Sequence, residues 1–129
     1  MKDLNRLSGP WTGLSIQGRR RCHEALQLTI SPGRILGAGS DEDGSFVVEG
    51  TFDATGQVQL TRRYAVSNLH DGHVDVPFDY VGTWDGAMIF GMWCERDSPL
   101  NCGPFEMWPM REEDRRELAI ELGELAVSR

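Results

Sequence analysis

Cysteine is scarce, with three in 129 residues. Three thiols cannot build a disulfide scaffold, so an apolar core must hold the chain. Long apolar runs are missing as well. No stretch approaches the roughly 18 apolar residues of a membrane-crossing helix, and the opening MKDLNRLSGPW lacks the apolar centre of a secretory signal. The expectation is a cytosolic protein with reduced thiols and no membrane partner. Basic charge is short too: 13 Lys and Arg face 20 Asp and Glu, a net charge of −7. Phosphate binding needs a basic surface, which argues against nucleic acid as a partner. The run Arg19-Arg20-Arg21 reads as a solvated turn. Catalytic signatures are absent: no Gly-x-Ser-x-Gly, phosphate loop or dinucleotide fingerprint occurs. Cys22 and His23 are adjacent, so on a strand they face opposite sides and cannot form a nucleophile–base pair. An enzyme is therefore the less favoured reading, and no cofactor is implied.

What the chain does have is β patterning punctuated by glycine. Its length is that of one domain. The 15 glycines fall at the boundaries of apolar runs. The clearest stretch is 34–64, where three runs rich in β-branched and aromatic residues are separated by Asp41-Glu42-Asp43-Gly44 and Asp53-Ala54-Thr55-Gly56. In the middle run Phe46, Val48 and Phe52 alternate with Val47, Glu49 and Thr51, the period-2 signature of a strand with one face on a core. Each cluster ends in Gly, which can take the φ > 0 of a tight hairpin, so the stretch reads as an antiparallel meander. On the third strand Gly37 and Gly39 share a face with Ile35, which suggests a bend or a close backbone approach.

The same reading extends both ways. Strands are predicted at 9–16 and 21–30, with Leu26, Leu28 and Ile30 alternating, then at 76–84, 87–93 and 103–108. Turns fall at Pro32-Gly33 and Asp85-Gly86, and loops at 65–75 and 94–102. From Arg111 the period changes: Leu118, Leu122 and Leu125 mark a short amphipathic helix after Pro109. The predicted fold is mainly β, a closed eight-stranded antiparallel up-and-down barrel with that helix at its C-terminus, favoured over a sandwich because closure leaves no exposed edge. Residues 1–8 form a polar lead-in, 9–110 the barrel, and 111–129 a helix packed on or across it.

Gly9-Pro10-Trp11 resembles the Gly-x-Trp signature of the first strand in the calycin superfamily, which includes lipocalins, fatty-acid-binding proteins and avidins. Phe78-Asp79-Tyr80 is similar to the lipocalin Thr-Asp-Tyr motif without its Thr. The resemblance implies a barrel closed at one end by Trp11, with Arg111 as the basic residue packed near it, and a bound ligand. Avidins expect Asn two residues after the Trp; Gly13 stands there, which argues against biotin.

Read from the residues, Val58, Leu60, Arg62 and Tyr64 share one face, as do Val76, Phe78, Tyr80, Gly82 and Trp84; the next strand is expected to turn Met88, Phe90 and Met92 inward. A lumen of that kind suits a small apolar ligand, with Arg62 gripping a carboxylate and Tyr64 or Tyr80 donating a hydrogen bond. The alternative is a lumen filled by side chains with Arg62 at a solvated rim. The candidate ligand residues are thus Arg62, Tyr64, Phe78, Tyr80, Met88, Phe90 and Met92, and the candidate barrel-closing residues are Trp11, Trp108 and Arg111. Cys94 and Cys102 flank one loop and, with His70 and His73, lack the tight spacings of zinc modules; a redox-labile disulfide or two ordinary thiols remain open. Two functions from different classes follow. One is a small-molecule-binding barrel. The other is a protein-interaction or homo-oligomeric barrel without ligand, associating through its wall or its C-terminal helix.

Overall fold

In the computed structural model, which describes residues 3–67 and 76–110, eight strands follow one another around a closed antiparallel barrel. They are β1 (Gly9–Gln17), β2 (Arg20–Ser31), β3 (Arg34–Asp41), β4 (Gly44–Phe52), β5 (Gln57–Ser67), β6 (Pro77–Trp84), β7 (Ile89–Glu95) and β8 (Ser98–Pro109). A 3₁₀ turn, Leu4–Arg6, precedes β1, and Asp3 caps it by accepting from Asn5 N–H. β1 closes on β8, with Trp11 opposite Pro109 and Ser15 opposite Phe105. The C-terminal helix expected at 111–129, and with it Arg111, lies outside the described residues.

Alternation decides what fills the barrel. β2 strictly alternates exposed and buried residues, sending Cys22, Glu24, Leu26, Leu28 and Ile30 inward. The turns between strands follow from local chemistry. Gly33 sits at φ +76° after Pro32, the composition of a type II turn. Asp53 Oδ1 accepts from the N–H groups of Thr55 and Gln57, and Asp85 Oδ1 from those of Ala87 and Met88. The close approach expected on β3 is present: a Cβ at Gly39 would fall 2.3 Å from Ala25 O and 2.8 Å from Phe46 Cζ.

Two expectations about the strands change. The predicted loop at 94–102 is a hairpin, because β8 begins at Ser98 and pairs back on β7 from there. On β7 the inward residues are Ile89 and Trp93, whereas Phe90 and Met92 are 43% and 47% exposed on the outer wall. Met88 precedes the strand, in the turn where Asp85 N–H donates to its carbonyl. The cause is register: Tyr80 pairs with Trp93 and Trp84 with Ile89, and directly paired residues project to the same side of a sheet.

Trp11 organises one end. It is 1% exposed, its Nε1–H donates to Leu7 O at 2.7 Å, and its ring lies 5.9 Å from that of Trp84. Leu4 tucks into the same core. Trp108 pairs with outward Thr12 and is only half-buried, so it belongs to the outer wall; the inward residue beside it is Met107. Removing the Trp11 ring would empty the plug between the 3₁₀ turn and Trp84. Trp11→Ala is expected to cost about 3–5 kcal/mol, measured by urea unfolding. A loss below about 1 kcal/mol would mean that the end of the barrel closes without it.

Candidate functional site

The lumen is lined by aromatic and aliphatic side chains, and a charge cluster sits among them. Arg62 comes from β5, in phase with Val58 and Leu60, and is 1% exposed. Its Nη1 donates to Glu24 Oε2 and lies 3.7 Å from Asp41 Oδ2. Glu24 and Asp41 are paired across β2 and β3, so the two carboxyl groups face the lumen side by side. Like charges in that arrangement repel, and the guanidinium between them removes the conflict. The flat faces of Arg62 are covered as well. Its guanidinium carbon lies 3.8 Å from the centre of the Phe46 ring and 4.5 Å from that of Tyr80, an attractive arrangement for a desolvated cation.

Asp41 serves two structures at once. Its Oδ1 accepts from the N–H groups of Asp43 and Gly44 and holds the β3–β4 turn, while its Oδ2 accepts from Tyr64 O–H at 2.5 Å. Tyr64 then starts a chain of ring contacts, edge-on to Phe46 and Phe78 and tilted from Phe78 to Trp93. Tyr64 and Phe46 are 5.7 Å apart, Tyr64 and Phe78 5.8 Å, and Phe78 and Trp93 6.2 Å. The Trp93 Nε1–H donates to Ile16 O at 3.1 Å. Near the same end Arg20 clamps both oxygens of buried Asp43, at 2.9 and 3.1 Å.

The electrostatics follow from burial and partners. Burial opposes the Arg62 charge, but Tyr80 and Glu24 outweigh it and raise the guanidinium pKa. Burial also raises Tyr80 against the opposing charge of Arg62. Tyr64 is raised by burial and then by its hydrogen bond to Asp41. Among the described residues two buried side-chain atoms have no hydrogen-bond partner, Arg62 Nε and Glu24 Oε1. Gly13 makes the room for that oxygen: a Cβ there would sit 2.5 Å from it.

Of the candidate ligand residues, the structure brings Arg62, Tyr64, Phe78 and Tyr80 together inside the barrel. Met88, Phe90 and Met92 are not part of that group. Arg62 is neither open to a ligand carboxylate through Nη1 nor at a solvated rim, because two acids already surround that nitrogen. Reading along the chain missed Glu24 and assigned Asp41 to turn chemistry alone. The signal was there for Glu24, which lies two residues before Leu26 on the same apolar face. Cys22 and His23 do point to opposite sides. Among the described residues no group of three or more His, Cys, Asp or Glu is arranged to hold a metal ion; His70 and His73 lie outside them.

The outer wall has features of its own. A hollow of about 680 Å³, open to solvent, lies across β4–β6 with Glu49, Thr61, Asp79 and Arg96 on its lining. Arg96 reaches across to Asp79 at 2.6 Å. Comparisons with family models, curated proteins and solved structures give no match for this chain.

Two expectations test the charge cluster. Arg62→Met leaves two buried acids without their cation and should cost about 3–5 kcal/mol, read by urea unfolding; an unchanged midpoint would mean that the cluster is dispensable. The second concerns pH. The chain has two tyrosines, Tyr64 and Tyr80, both buried with raised pKa values. A group raised on folding gives stability that is whole below its unfolded value, about 10, and is lost as pH rises beyond it. Tyrosinate absorbance should therefore stay flat past about pH 10 and appear only with loss of the β-sheet signal. A tyrosine titrating near its ordinary value in folded protein would contradict this placement.

Proposed function

We propose that this barrel works through its outer wall, as a protein-interaction module that pairs with a second copy of itself, its lumen being occupied by its own side chains. The observation that carries the reading is Arg62. At the centre of the lumen, where a carrier would hold its ligand, lies a guanidinium boxed by Phe46 and Tyr80 and engaged by Glu24 and Asp41. Outside, large apolar side chains face solvent. Val81 is 54% exposed and pairs directly with Met92; Phe90 is two residues from Met92 on the same face, and Pro104 is paired to Met92 on the next strand. A contiguous apolar face of this kind marks a contact surface. The choice of a second copy follows from charge. Two chains of net charge −7 repel unless they meet on largely uncharged ground, and Val81, Thr83, Phe90, Met92 and Pro104 provide it, with Glu106 opposite Phe90 at its border. One self-complementary patch suffices for a two-fold pair. The three free thiols suit a reducing, cytosolic setting.

A second reading has its own support. The unpartnered Arg62 Nε and Glu24 Oε1 would both be satisfied by a small molecule offering an acceptor and a donor. That fits the calycin resemblance of Gly9-Pro10-Trp11. The acids beside Arg62 favour a neutral ligand over an anion.

Light scattering on the full chain separates the two. The wall reading expects a dimer that Met92→Glu converts to a monomer with its thermal midpoint kept. A wild-type monomer at tens of micromolar would overturn it. A stoichiometric small molecule retained in native mass spectrometry would favour the carrier instead.

A further inference from the structure

The β7–β8 hairpin carries two thiols in direct register, Cys94 opposite Cys102. Directly opposed residues in an antiparallel pair have Cα atoms about 4.5 or 5.5 Å apart. Both values fall inside the span of about 4.4–6.8 Å that a disulfide bridges. The two side chains share the outer face, since the neighbouring Trp93 and Gly103 are buried on the inner one. Both thiols are free. Cys102 is exposed and Cys94 half-buried. Beyond them the register jumps: Glu95 pairs with Ser98, so Pro99, Leu100 and Asn101 are extra residues on β8. Leu100 on that bulge is 99% exposed.

We propose that Cys94 and Cys102 form a reversible oxidation site, closing a disulfide across the base of this bulge when the protein meets a low-molecular-weight disulfide such as oxidised glutathione. The exposed Cys102 sulfur attacks one sulfur of that oxidant; its S–S bond breaks and one small thiol leaves. The Cys94 sulfur then attacks the Cys102 sulfur of the mixed disulfide and expels the second small thiol. Two cysteine thiols give up two protons and two electrons, and the oxidant is reduced to two thiols. The order of attack follows from environment. Cys102 is the more exposed sulfur, and burial, then the neighbouring Cys102 thiol, raises the Cys94 thiol above its usual range, which makes Cys94 the resolving partner. Cys22 takes no part, because it is 2% exposed inside the barrel. The ring closed by this bond is short, so it adds less chain-entropy stabilisation than a long-range crosslink would, and its exposure leaves it easily reduced. Both properties suit a site that switches rather than a permanent staple. The bond would pin the Leu100 bulge to the wall at the position next to Met92, two residues from Cys94 on the same face.

The test treats folded full-length protein with oxidised glutathione, alkylates remaining thiols after unfolding, and maps the products by mass spectrometry. The expected product links the Cys94 and Cys102 peptides within one chain, leaves Cys22 alkylated, and is undone by excess dithiothreitol. Cys94→Ser should stop the reaction at a stable glutathione adduct on Cys102, which supports the order of attack. A glutathione adduct that persists on Cys102 in the wild type, a Cys102–Cys102 link between chains, or both thiols remaining alkylatable would each overturn the proposal.

Discussion

A guanidinium in the middle of a small barrel constrains everything around it. Burying Arg62 unpaired would cost far more than a domain of this size can spare. Glu24 reaches it from β2 and Asp41 from β3, whereas Arg62 is on β5. None of these contacts joins Arg62 to a hydrogen-bonded neighbour strand; they cross the lumen. They form only when the sheet has curled shut with the right stagger. A slip of one residue on β5 would turn Arg62 outward and leave the carboxyl groups of Glu24 and Asp41 facing each other without a cation. The cluster thus penalises wrong registers, a role that buried ion pairs fill in some proteins.

The same constraint reaches into residues without charge. Glu24 needs space beside β1, and Gly13 leaves it. The Phe46 ring that covers Arg62 presses on the position where a Cβ at Gly39 would be. The glycines of the inner face therefore do more than bend strands: they set aside volume for large aromatic and charged groups on neighbouring strands. Asp41 couples the turn to the lumen, since one oxygen holds the β3–β4 backbone and the other holds Tyr64.

How much of this was legible depends on how each signal is encoded. The strands and turns are local: Pro32-Gly33, Asp53 to Gly56 and the alternation of 46–52 are readable from a few residues each. The partners of Arg62 are not local. Glu24 is 38 residues away from it in sequence, and only barrel closure brings the two together. A charged residue in phase with Leu26, Leu28 and Ile30 was the available clue. The inner face of β7 was recoverable in principle. With Trp84 inward, a turn of either two or four residues sends Ile89, Gly91 and Trp93 inside, because paired residues share a side. The expectation of Met88, Phe90 and Met92 inside runs against that parity.

That misreading has a physical cause that bears on function. In an antiparallel barrel one strand face meets the core and the other meets water, so the outer set is normally polar, as His23, Gln27 and Thr29 are on β2. β7 instead carries apolar residues on both faces, Ile89 and Trp93 within, Phe90 and Met92 without. Period-2 analysis cannot choose between two apolar sets. Strands with two apolar faces belong where both faces are covered. The barrel covers only one of them. The pattern that blurs the inner face of β7 is therefore the same pattern on which the proposed wall contact rests.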